Sequence, residues 1–375
     1  MRAERFPLGA GVTVAGLEGD PHALLARLRA REPVSWLPAV DGWLVTRRDL
    51  ALAAMRDAET FTVDDPRFTT AQVVGESMLS LDGAEHDRHR APFVAPLRLG
   101  EVRRRLAGAV AGEAERLVGE LAPRGEGELR RGFAGPLAAA AVTRALGLEG
   151  AATGTVLGWY DAIVAAVTDL TAGRPPGPDA ARAVAELGEA VHVEGTGLSD
   201  AEVASNIAVL LFGGIETTEG MIANALVHLL ERPEALAAVH ADPGRLPDAV
   251  EESLRLEPAA AVIDRYATRD CELGGAAIAA GELVRISITA ANRDPETFAE
   301  PDRFDLDRPN AGRHLAFAAG PHVCVGMHLA RLEAHVALAT LLERLPDLRL
   351  DPEHPPAIRG LVFRKPVELR ARWSA

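Results

Sequence analysis

Cysteine is scarce in this chain of 375 residues, which contains only Cys271 and Cys324. Two cysteines cannot build the disulfide framework that stabilises many small secreted domains. The first residues, MRAERFPLGAGVTVAGLEGD, also lack the apolar segment of a secretion signal. Both absences favour a reducing, cytoplasmic location.

Lysine is scarcer still: Lys365 is the single example, so almost all positive charge is arginine. The net charge of −14 argues against nucleic acid as a partner. No run approaches the ~18 consecutive apolar residues of a membrane span, so no membrane association is expected. A composition of 48% hydrophobic and 25% charged residues is that of a globular protein, and its core is large enough to enclose a cofactor.

Helical periodicity dominates the chain. Apolar residues recur at helical spacing in segments that begin at Pro21, Arg47, Gly100 and Leu198. The segment from Leu198 continues to Pro233, and Ser199 followed by Glu202 has the pattern of a capping box. A helix of this length spans roughly 50 Å and, being so apolar, must cross the middle of the protein.

Strand patterns are short and few. VSWLPAVDGWLVT, within residues 33–46, predicts a hairpin with Asp41 and Gly42 as its turn. Alternation returns in RYATRDCELGGAAIAAGELVRISI, and the proline-rich stretch that follows it predicts an extended loop. The fold class is therefore mainly α with a minor β part. We expect a single domain over 1–375, with a β-rich part near 33–62, a helical core near 85–255 and a cysteine loop at 317–326.

Cys324 occupies an unusual setting. Gly320 and Gly326 flank it, and a helical pattern begins directly after it, so a thiolate there would face free backbone N–H groups at a helix start. A free cysteine can also be a small buried hydrophobe. Zinc bound by His322, Cys324 and His328 is a second alternative, but no second ligand pair completes a structural site. A catalytic thiol and a thiolate ligand of haem are the others.

The loop resembles a known motif. Phe317-x-x-Gly320-x-His322-x-Cys324-x-Gly326 is similar to the haem-binding loop of the cytochrome P450 family, and the likeness extends from about Pro33 to the end of the chain. It implies a long central helix above haem b, with Cys324 as the iron ligand in the loop beneath. Ala318 departs from the pattern, since glycine is common at that position.

Two further motifs fit the same family. Glu252-x-x-Arg255 resembles its Glu-x-x-Arg signature, and Arg303 in the later irregular segment matches the arginine that packs against this pair in a buried charge network. In GGIETT of the long helix, Gly213 lets a flat ring lie against the helix. The resemblance implies that Glu216 and Thr217 form the acid–alcohol pair that serves oxygen activation.

Basic residues for the two haem propionates also match the family. Burying two carboxylates without partners is costly, and bonds from arginine and histidine offset that cost. The four residues implied are His86, Arg90, Arg265 and His322. Seven apolar positions are candidate substrate contacts by the same comparison: Met78, Leu79, Val209, Phe212, Ala260, Val262 and Ile263.

These features together predict a monooxygenase that inserts one atom of O2 into an apolar small molecule. The chain is too short to hold flavin domains as well, so electrons from NAD(P)H must arrive through a ferredoxin or flavodoxin with its reductase. We expect that donor to approach a monomeric enzyme on the Cys324 side. There five arginines form a candidate basic patch: Arg98, Arg103, Arg104, Arg105 and Arg331.

Two other functions remain open: a peroxide-dependent haem-thiolate enzyme and a non-catalytic haem sensor. The pair formed by Glu216 and Thr217 favours the oxygen-activating enzyme over both. The stretch from Ala166 to Ser199 is short for the family, which commonly has another helix and loop there. The lid over the substrate side is therefore expected to be reduced.

Overall fold

Helices form most of the protein. The computed structural model describes residues 2–148, 150–171, 174–191 and 195–375. In chain order the helices are α1 (Arg2–Arg5), α2 (Pro7–Ala10), α3 (Val14–Glu18), α4 (His22–Arg31), α5 (Arg48–Arg56), α6 (Thr69–Val74), α7 (Gly83–Val94), α8 (Leu99–Leu121), α9 (Gly135–Ala145), α10 (Thr153–Thr171), α11 (Asp179–Ala190), α12 (Asp200–Leu230), α13 (Pro233–Ala241), α14 (Leu246–Leu256), α15 (Ile288–Ala291) and α16 (Met327–Arg344).

The strands are short and lie mostly at the two ends of the chain. They are β1 (Val34–Leu37), β2 (Gly42–Val45), β3 (Phe61–Thr62), β4 (Glu126–Glu128), β5 (Val262–Ala267), β6 (Cys271–Leu273), β7 (Ala276–Ile278), β8 (Leu283–Ser287), β9 (Arg349–Leu350), β10 (Ile358–Arg359), β11 (Lys365–Pro366) and β12 (Arg370–Arg372). The largest sheet has the order β1-β2-β8-β5-β3, with β2 and β8 parallel. Smaller sheets join β4-β12-β9, β10-β11 and β6-β7.

The central helix α12 organises the core. It runs for 31 residues, and the side chains of Ser199 and Glu202 form the expected capping box at its start. It packs against α9, α11, α14 and α16. One large apolar cluster joins its second half to α8, α9 and α16, and another joins its first half to α10 and α11. A helix that is apolar on all sides is stable only inside such a core.

The structure confirms the mainly α class and corrects some local details. The first hairpin is antiparallel, but its connection is a short 3₁₀ turn at Pro38–Val40 followed by Asp41 at φ 45°, and Gly42 already belongs to β2. The observed turn therefore begins at Pro38, three residues before the predicted one, and shares only Asp41 with it. Three short helices near the amino terminus were not predicted, because each is too short to show a period.

In the stretch between α10 and the central helix, the described residues contain one short helix, α11, which packs on α10 and α12. The predicted shortening concerns a segment that includes residues 172–173 and 192–194, which lie outside the described residues. In the part of the chain that the structure describes, no helix is long and apolar enough to cross a membrane.

Candidate active site

The cysteine loop is held by its own backbone and by α5. The N–H of Cys324 donates to the carbonyl of Phe317 at 2.9 Å, which closes the loop. Gly320 has φ 74°, and a Cβ there would lie 2.5 Å from the carbonyl oxygen of Met55. Ala318 also has a positive φ, 58°, so the position where the family favours glycine has the backbone shape that glycine adopts most easily.

The surroundings of Cys324 have opposing effects on the pKa of its thiol. Its side chain has accessible surface, yet it lies deep within the protein, and this burial raises the pKa of the thiol. The backbone N–H of Gly326 and the guanidinium groups of Arg90 and Arg331 oppose that rise, but the net pKa stays above its usual range. The loop by itself therefore disfavours the thiolate form of Cys324. A metal ion that binds the sulfur would supply the missing stabilisation, since coordination deprotonates a thiol.

One face of α12 stays accessible within an otherwise buried helix. Leu210, Gly213, Gly214 and Thr217 are half-buried at helical spacing, whereas nearly all their neighbours are buried. A Cβ added at Gly213 would meet nothing within 4 Å, so open space adjoins the backbone there. Val325, next to Cys324, packs against the apolar cluster that includes the first half of α12. The cysteine loop and the first half of α12 thus contribute to the same apolar cluster.

Thr217 and Glu216 differ in what they contact. The hydroxyl of Thr217 donates to the carbonyl of Gly213 at 2.6 Å, across one helical turn. Glu216 is buried, accepts a hydrogen bond from the Tyr160 hydroxyl on α10, and lies 2.7 Å from Nζ of Lys365 on β11. Neither Tyr160 nor Lys365 was predicted, because both are distant in sequence and carry no local motif.

Buried donors gather beside the loop. The imidazole rings of His86 and His322 lie 4.4 Å apart between centroids. Among the residues that the structure describes, Nε2 of His86 is buried without a hydrogen-bond partner, and the buried guanidinium of Arg265 donates only to the carbonyl of Asp264. Burial lowers the pKa of Arg265 to about 10 and holds the pKa of His86 below its usual value. Such donors fit carboxylates of a bound group, which would satisfy them.

Two of the predicted basic residues already have protein partners. Nε2 of His322 lies 2.7 Å from a carboxylate oxygen of Asp82, at the start of α7. The other oxygen of Asp82 accepts from the Thr62 hydroxyl and the Val63 N–H, which fixes the carboxylate. Arg90 donates to the carbonyl of Val323 at 2.6 Å. Asp82 was missed by the sequence analysis, since a single acid before a helix is usually only a cap.

The structure contains the predicted buried charge network, but its third residue differs from the predicted one. Glu252 and Arg255 form a fully buried bidentate pair, with distances of 2.7 and 2.8 Å. Arg308, at 2.9 Å, completes it. The prediction for Arg303 is wrong: its side chain is 61% exposed and reaches Glu300. Only its backbone carbonyl joins the network, accepting from Arg255 and Arg308, because the chain turns there and directs the side chain outwards.

Four of the predicted substrate contacts share one apolar cluster. Met78, Val209 and Phe212 are buried members of it, and Leu79 packs against it. Phe363 belongs to the same surroundings, with its ring 5.5 Å from that of Phe212 in an edge-on arrangement. Ala260 forms an isolated bridge to Phe363. Val262 and Ile263 lie in β5, where Ile263 packs against the core of the large sheet.

The candidate basic patch is partly neutralised. Arg331 forms a bidentate ion pair with Glu251, at 2.5 and 3.0 Å, and stacks over the ring of Phe317. Arg104 pairs with Glu101 one helical turn away. Arg98 and Arg105 line a surface cavity with Arg104 at the start of α8, and the exposed Leu99 lies beside them.

A zinc site at the loop receives no support. Among the residues that the structure describes, His322, Cys324 and His328 do not bring three ligand atoms together. The described residues do contain one group with metal-like spacing, but it lies outside the loop and consists of Asp351, Glu353 and His354. Arg372 already forms ion pairs with both carboxylates of that group. The donor set at Cys324 therefore fits a group that brings its own remaining ligands, as haem does.

Comparison with known proteins points the same way. The family profile described as Cytochrome P450 matches residues 182–366. Nocardicin C N-oxygenase of Nocardia uniformis subsp. tsuyamanensis is 36% identical over 95% of this chain and 97% of its own length. Cytochrome P450 107B1 of Saccharopolyspora erythraea is 35% identical, covering 88% of this chain and 89% of its own. The crystal structure of P450BioI in complex with an acyl carrier protein superposes with a TM-score of 0.85 at 28% identity, over 94% of this chain and 98% of that one.

Proposed function

This chain belongs to the cytochrome P450 family, and from that premise we propose that it oxidises an apolar small molecule of secondary metabolism or foreign origin. It is a haem-thiolate monooxygenase, so one atom of O2 enters the substrate and the other leaves as water. In our proposal the two electrons come from NAD(P)H through a ferredoxin or flavodoxin and its reductase. The haem is haem b.

The observations that support the proposal are the open space at Gly213 on α12 and the accessible thiol of Cys324, whose neighbour Val325 packs against the apolar cluster that includes the first half of α12. Gly213 leaves room at the helix backbone, and in our proposal the haem lies between that face of α12 and the accessible sulfur of Cys324. Cys324 would bind the iron. His86 and Arg265, whose donors lack strong protein acceptors, would bind the propionates together with Arg90 and His322. When bound, the haem supplies a thiolate-ligated iron that favours O–O bond cleavage.

In this proposal, side chains of α12 supply and orient the protons that the reaction needs. Thr217 holds its hydroxyl against the carbonyl of Gly213. From there it can accept a hydrogen bond from a proton donor on the open side of the helix. Glu216 is the nearest acid along the helix and acts as the source of that proton. Its buried carboxylate is held by Tyr160 and Lys365, which keeps it from drifting into the substrate space.

The substrate space is apolar. Met78, Leu79, Val209, Phe212 and Phe363 surround it with hydrocarbon and aromatic surface. Such a lining excludes water and favours a ligand that buries apolar area. The names of two relatives refer to oxidation of a natural product, nocardicin C and 20-oxo-5-O-mycaminosyltylactone, which supports a secondary metabolite as substrate here.

The exposed arginines near α8 support our proposal that the electron donor approaches on the Cys324 side. Arg98 and Arg105 line the surface cavity at the start of α8 without an ion pair to any residue that the structure describes, and the exposed Leu99 adds apolar surface beside them. A negatively charged donor would be attracted to this patch despite the overall charge of −14.

Absorbance spectroscopy tests the proposal directly. The haem-loaded protein, reduced under carbon monoxide, should show the red-shifted Soret band of a thiolate-ligated haem, and Cys324→Ser should lose it. A wild-type spectrum without that band would overturn the proposal. A screen of apolar compounds for the shift in spin state then identifies the substrate class. Product formed with peroxide alone, and none with O2 and an electron donor, would instead establish the peroxide-dependent enzyme.

A further inference from the structure

Two acids on the central helix share the only lysine of the chain. Nζ of Lys365 lies 2.7 Å from Oε1 of Glu216 and 3.5 Å from Oε1 of Glu219. Glu216 and Glu219 are one helical turn apart, so both carboxylates emerge from the same face of α12. Glu219 is fully buried, whereas 14% of the Lys365 side chain remains exposed. Lys365 thus joins two buried carboxylates through its ammonium, on a side chain that keeps some contact with solvent.

The second oxygen of Glu216 is held separately. The hydroxyl of Tyr160 donates to Oε2, while Lys365 holds Oε1. Burial raises the pKa of Tyr160, and the nearby carboxylates raise it further, so the phenol stays a neutral donor throughout the physiological range. Both oxygens of Glu216 are therefore occupied, each by a group from a different element.

Glu219 has its own cations. Nη1 of Arg130 lies 2.6 Å from one of its oxygens, and Nη1 of Arg131 lies 3.8 Å from the other. Arg131 also lies over the ring of Tyr160 and reaches Asp161 at 3.3 Å. Oε2 of Glu219 is buried without a hydrogen-bond partner among the described residues. The charged or titratable groups facing this cluster are Tyr160, Asp161, Arg130, Arg131, Glu216, Glu219 and Lys365.

We propose that Tyr160, Glu219 and Lys365 are positioning residues that supply Glu216 with protons from the surface. The proposal rests on the proposed role of Glu216 as proton source. Lys365 gives one proton from its ammonium to Oε1 of Glu216, Glu216 passes that proton on towards Thr217 and returns to the carboxylate, and the Lys365 amine is protonated again by a hydronium ion or buffer acid from the solvent. Glu219 anchors Lys365 on the helix side, and Tyr160 keeps Oε2 engaged so that Oε1 faces the lysine. No net charge is left behind after each cycle.

The composition of the chain allows this cluster to be observed without measuring turnover. Labelling lysine with ¹⁵Nζ gives one side-chain resonance, from Lys365, and labelling tyrosine with ¹³Cζ gives two, from Tyr160 and Tyr266. The reduced carbon monoxide complex of the haem-loaded enzyme is diamagnetic and suits NMR. We expect Glu216→Gln to shift both the Lys365 and Tyr160 resonances, Glu219→Gln to shift that of Lys365, and Tyr266→Phe to assign the remaining tyrosine. If Glu216→Gln leaves the Lys365 and Tyr160 resonances unshifted, the proposed contacts are wrong.

Kinetics then test the proton path. NADPH oxidation driven by a plant-type ferredoxin and its reductase, without added substrate, is followed in H2O and D2O across pH. We expect Lys365→Met to slow it about tenfold or more and to enlarge the solvent isotope effect, and Lys365→Arg to restore both in large part. Tyr160→Phe should change the pH profile. Glu368→Gln, which removes an exposed acid three residues from Lys365, should change neither.

The outcomes separate the two proposals. If Glu216→Gln alters the isotope effect while Lys365→Met and Tyr160→Phe behave as wild type, the supply path is wrong and the role of Glu216 stands. If Glu216→Gln itself leaves the rate, pH profile and isotope effect unchanged, the proposed function of Glu216 is wrong, and the path that depends on it is wrong too.

Discussion

The side-chain oxygen of Asn206 accepts the backbone N–H of Met78 at 2.8 Å, and both residues are buried. This bond ties the loop before α7 to the central helix. The amide nitrogen of Asn206 donates to the carbonyl of Glu202 at 2.7 Å and lies 2.9 Å from Nδ1 of His89. One side chain thus fixes the helix start, α7 and the loop that carries two candidate substrate contacts.

Asn206→Ala is expected to loosen the Met78 loop. It leaves a buried N–H without an acceptor, which costs about 1–3 kcal/mol of stability. It should also weaken binding of 4-phenylimidazole to the haem-loaded enzyme about fivefold, measured by absorbance titration. The reason is that binding of this ligand must restrict the loosened Met78 loop, and this ordering costs part of the binding free energy.

Asn224→Ala is the matched control for this prediction. Asn224 is equally buried on α12, but it donates to the carbonyls of Glu257 and Arg364, away from the loop. It should lower stability to a similar degree and leave the affinity for 4-phenylimidazole unchanged. Equal affinities for both variants and the wild type would contradict the role assigned to Asn206.

Arg308 and Arg303 should differ sharply on truncation. Arg308→Ala removes one cation from a fully buried carboxylate, Glu252, and such losses cost roughly 3 kcal/mol. Arg303→Ala removes an exposed side chain and should stay within about 0.5 kcal/mol of wild type. Urea unfolding of the haem-loaded protein measures both. A larger loss for Arg303→Ala would restore the assignment made from the sequence.

This pair shows where sequence reasoning is reliable and where it ends. Glu252 and Arg255 lie on one regular helix, so their spacing alone predicts that they meet. The third residue comes from an irregular segment, where no period indicates which side chain points inwards. Family resemblance favoured Arg303, and the actual turn of the chain selects Arg308.

The same limit applies at the active site. The cysteine loop and the helix motif around Thr217 are local patterns, and each could be identified from its own residues. Tyr160, Lys365 and Phe363 join the site only through tertiary packing of α10 and the carboxy-terminal strands against α12. Nothing in their local sequence distinguishes them from ordinary surface or core residues.

Glu257 should make stability sensitive to acid. Burial alone would raise the pKa of this carboxyl, but His22, Arg364 and Arg293 hold it at about 2, below the ordinary 4.5. A carboxyl with a depressed pKa contributes stability above its unfolded pKa and loses that contribution as pH falls towards the folded value. The contribution is about 3 kcal/mol at neutral pH.

Unfolding free energies measured between pH 6 and about pH 3 test this contribution. The free energy of unfolding of the wild type should fall through this range. Its slope against pH should correspond to about one more proton taken up on unfolding than in Glu257→Gln. The variant should be less stable at pH 6, because Arg364 loses its charged partner, and should show a shallower decline. Parallel curves for the two proteins would mean that Glu257 is not the group that titrates.

Two glycines of the cysteine loop should respond differently to alanine. Gly320 has φ 74°, and an added Cβ would lie 2.5 Å from the carbonyl of Met55, so the loop must shift away from α5. The left-handed conformation adds about 1–2 kcal/mol for a non-glycine residue. A Cβ at Gly326 meets only Sγ of Cys324, at an ordinary 3.9 Å, and the backbone there has φ −87°. Gly320→Ala is therefore expected to lower the ratio of haem to protein after purification and to weaken the thiolate-type Soret band, while Gly326→Ala retains both. Equal haem retention by the two variants would show that contact with α5 does not set the position of Cys324.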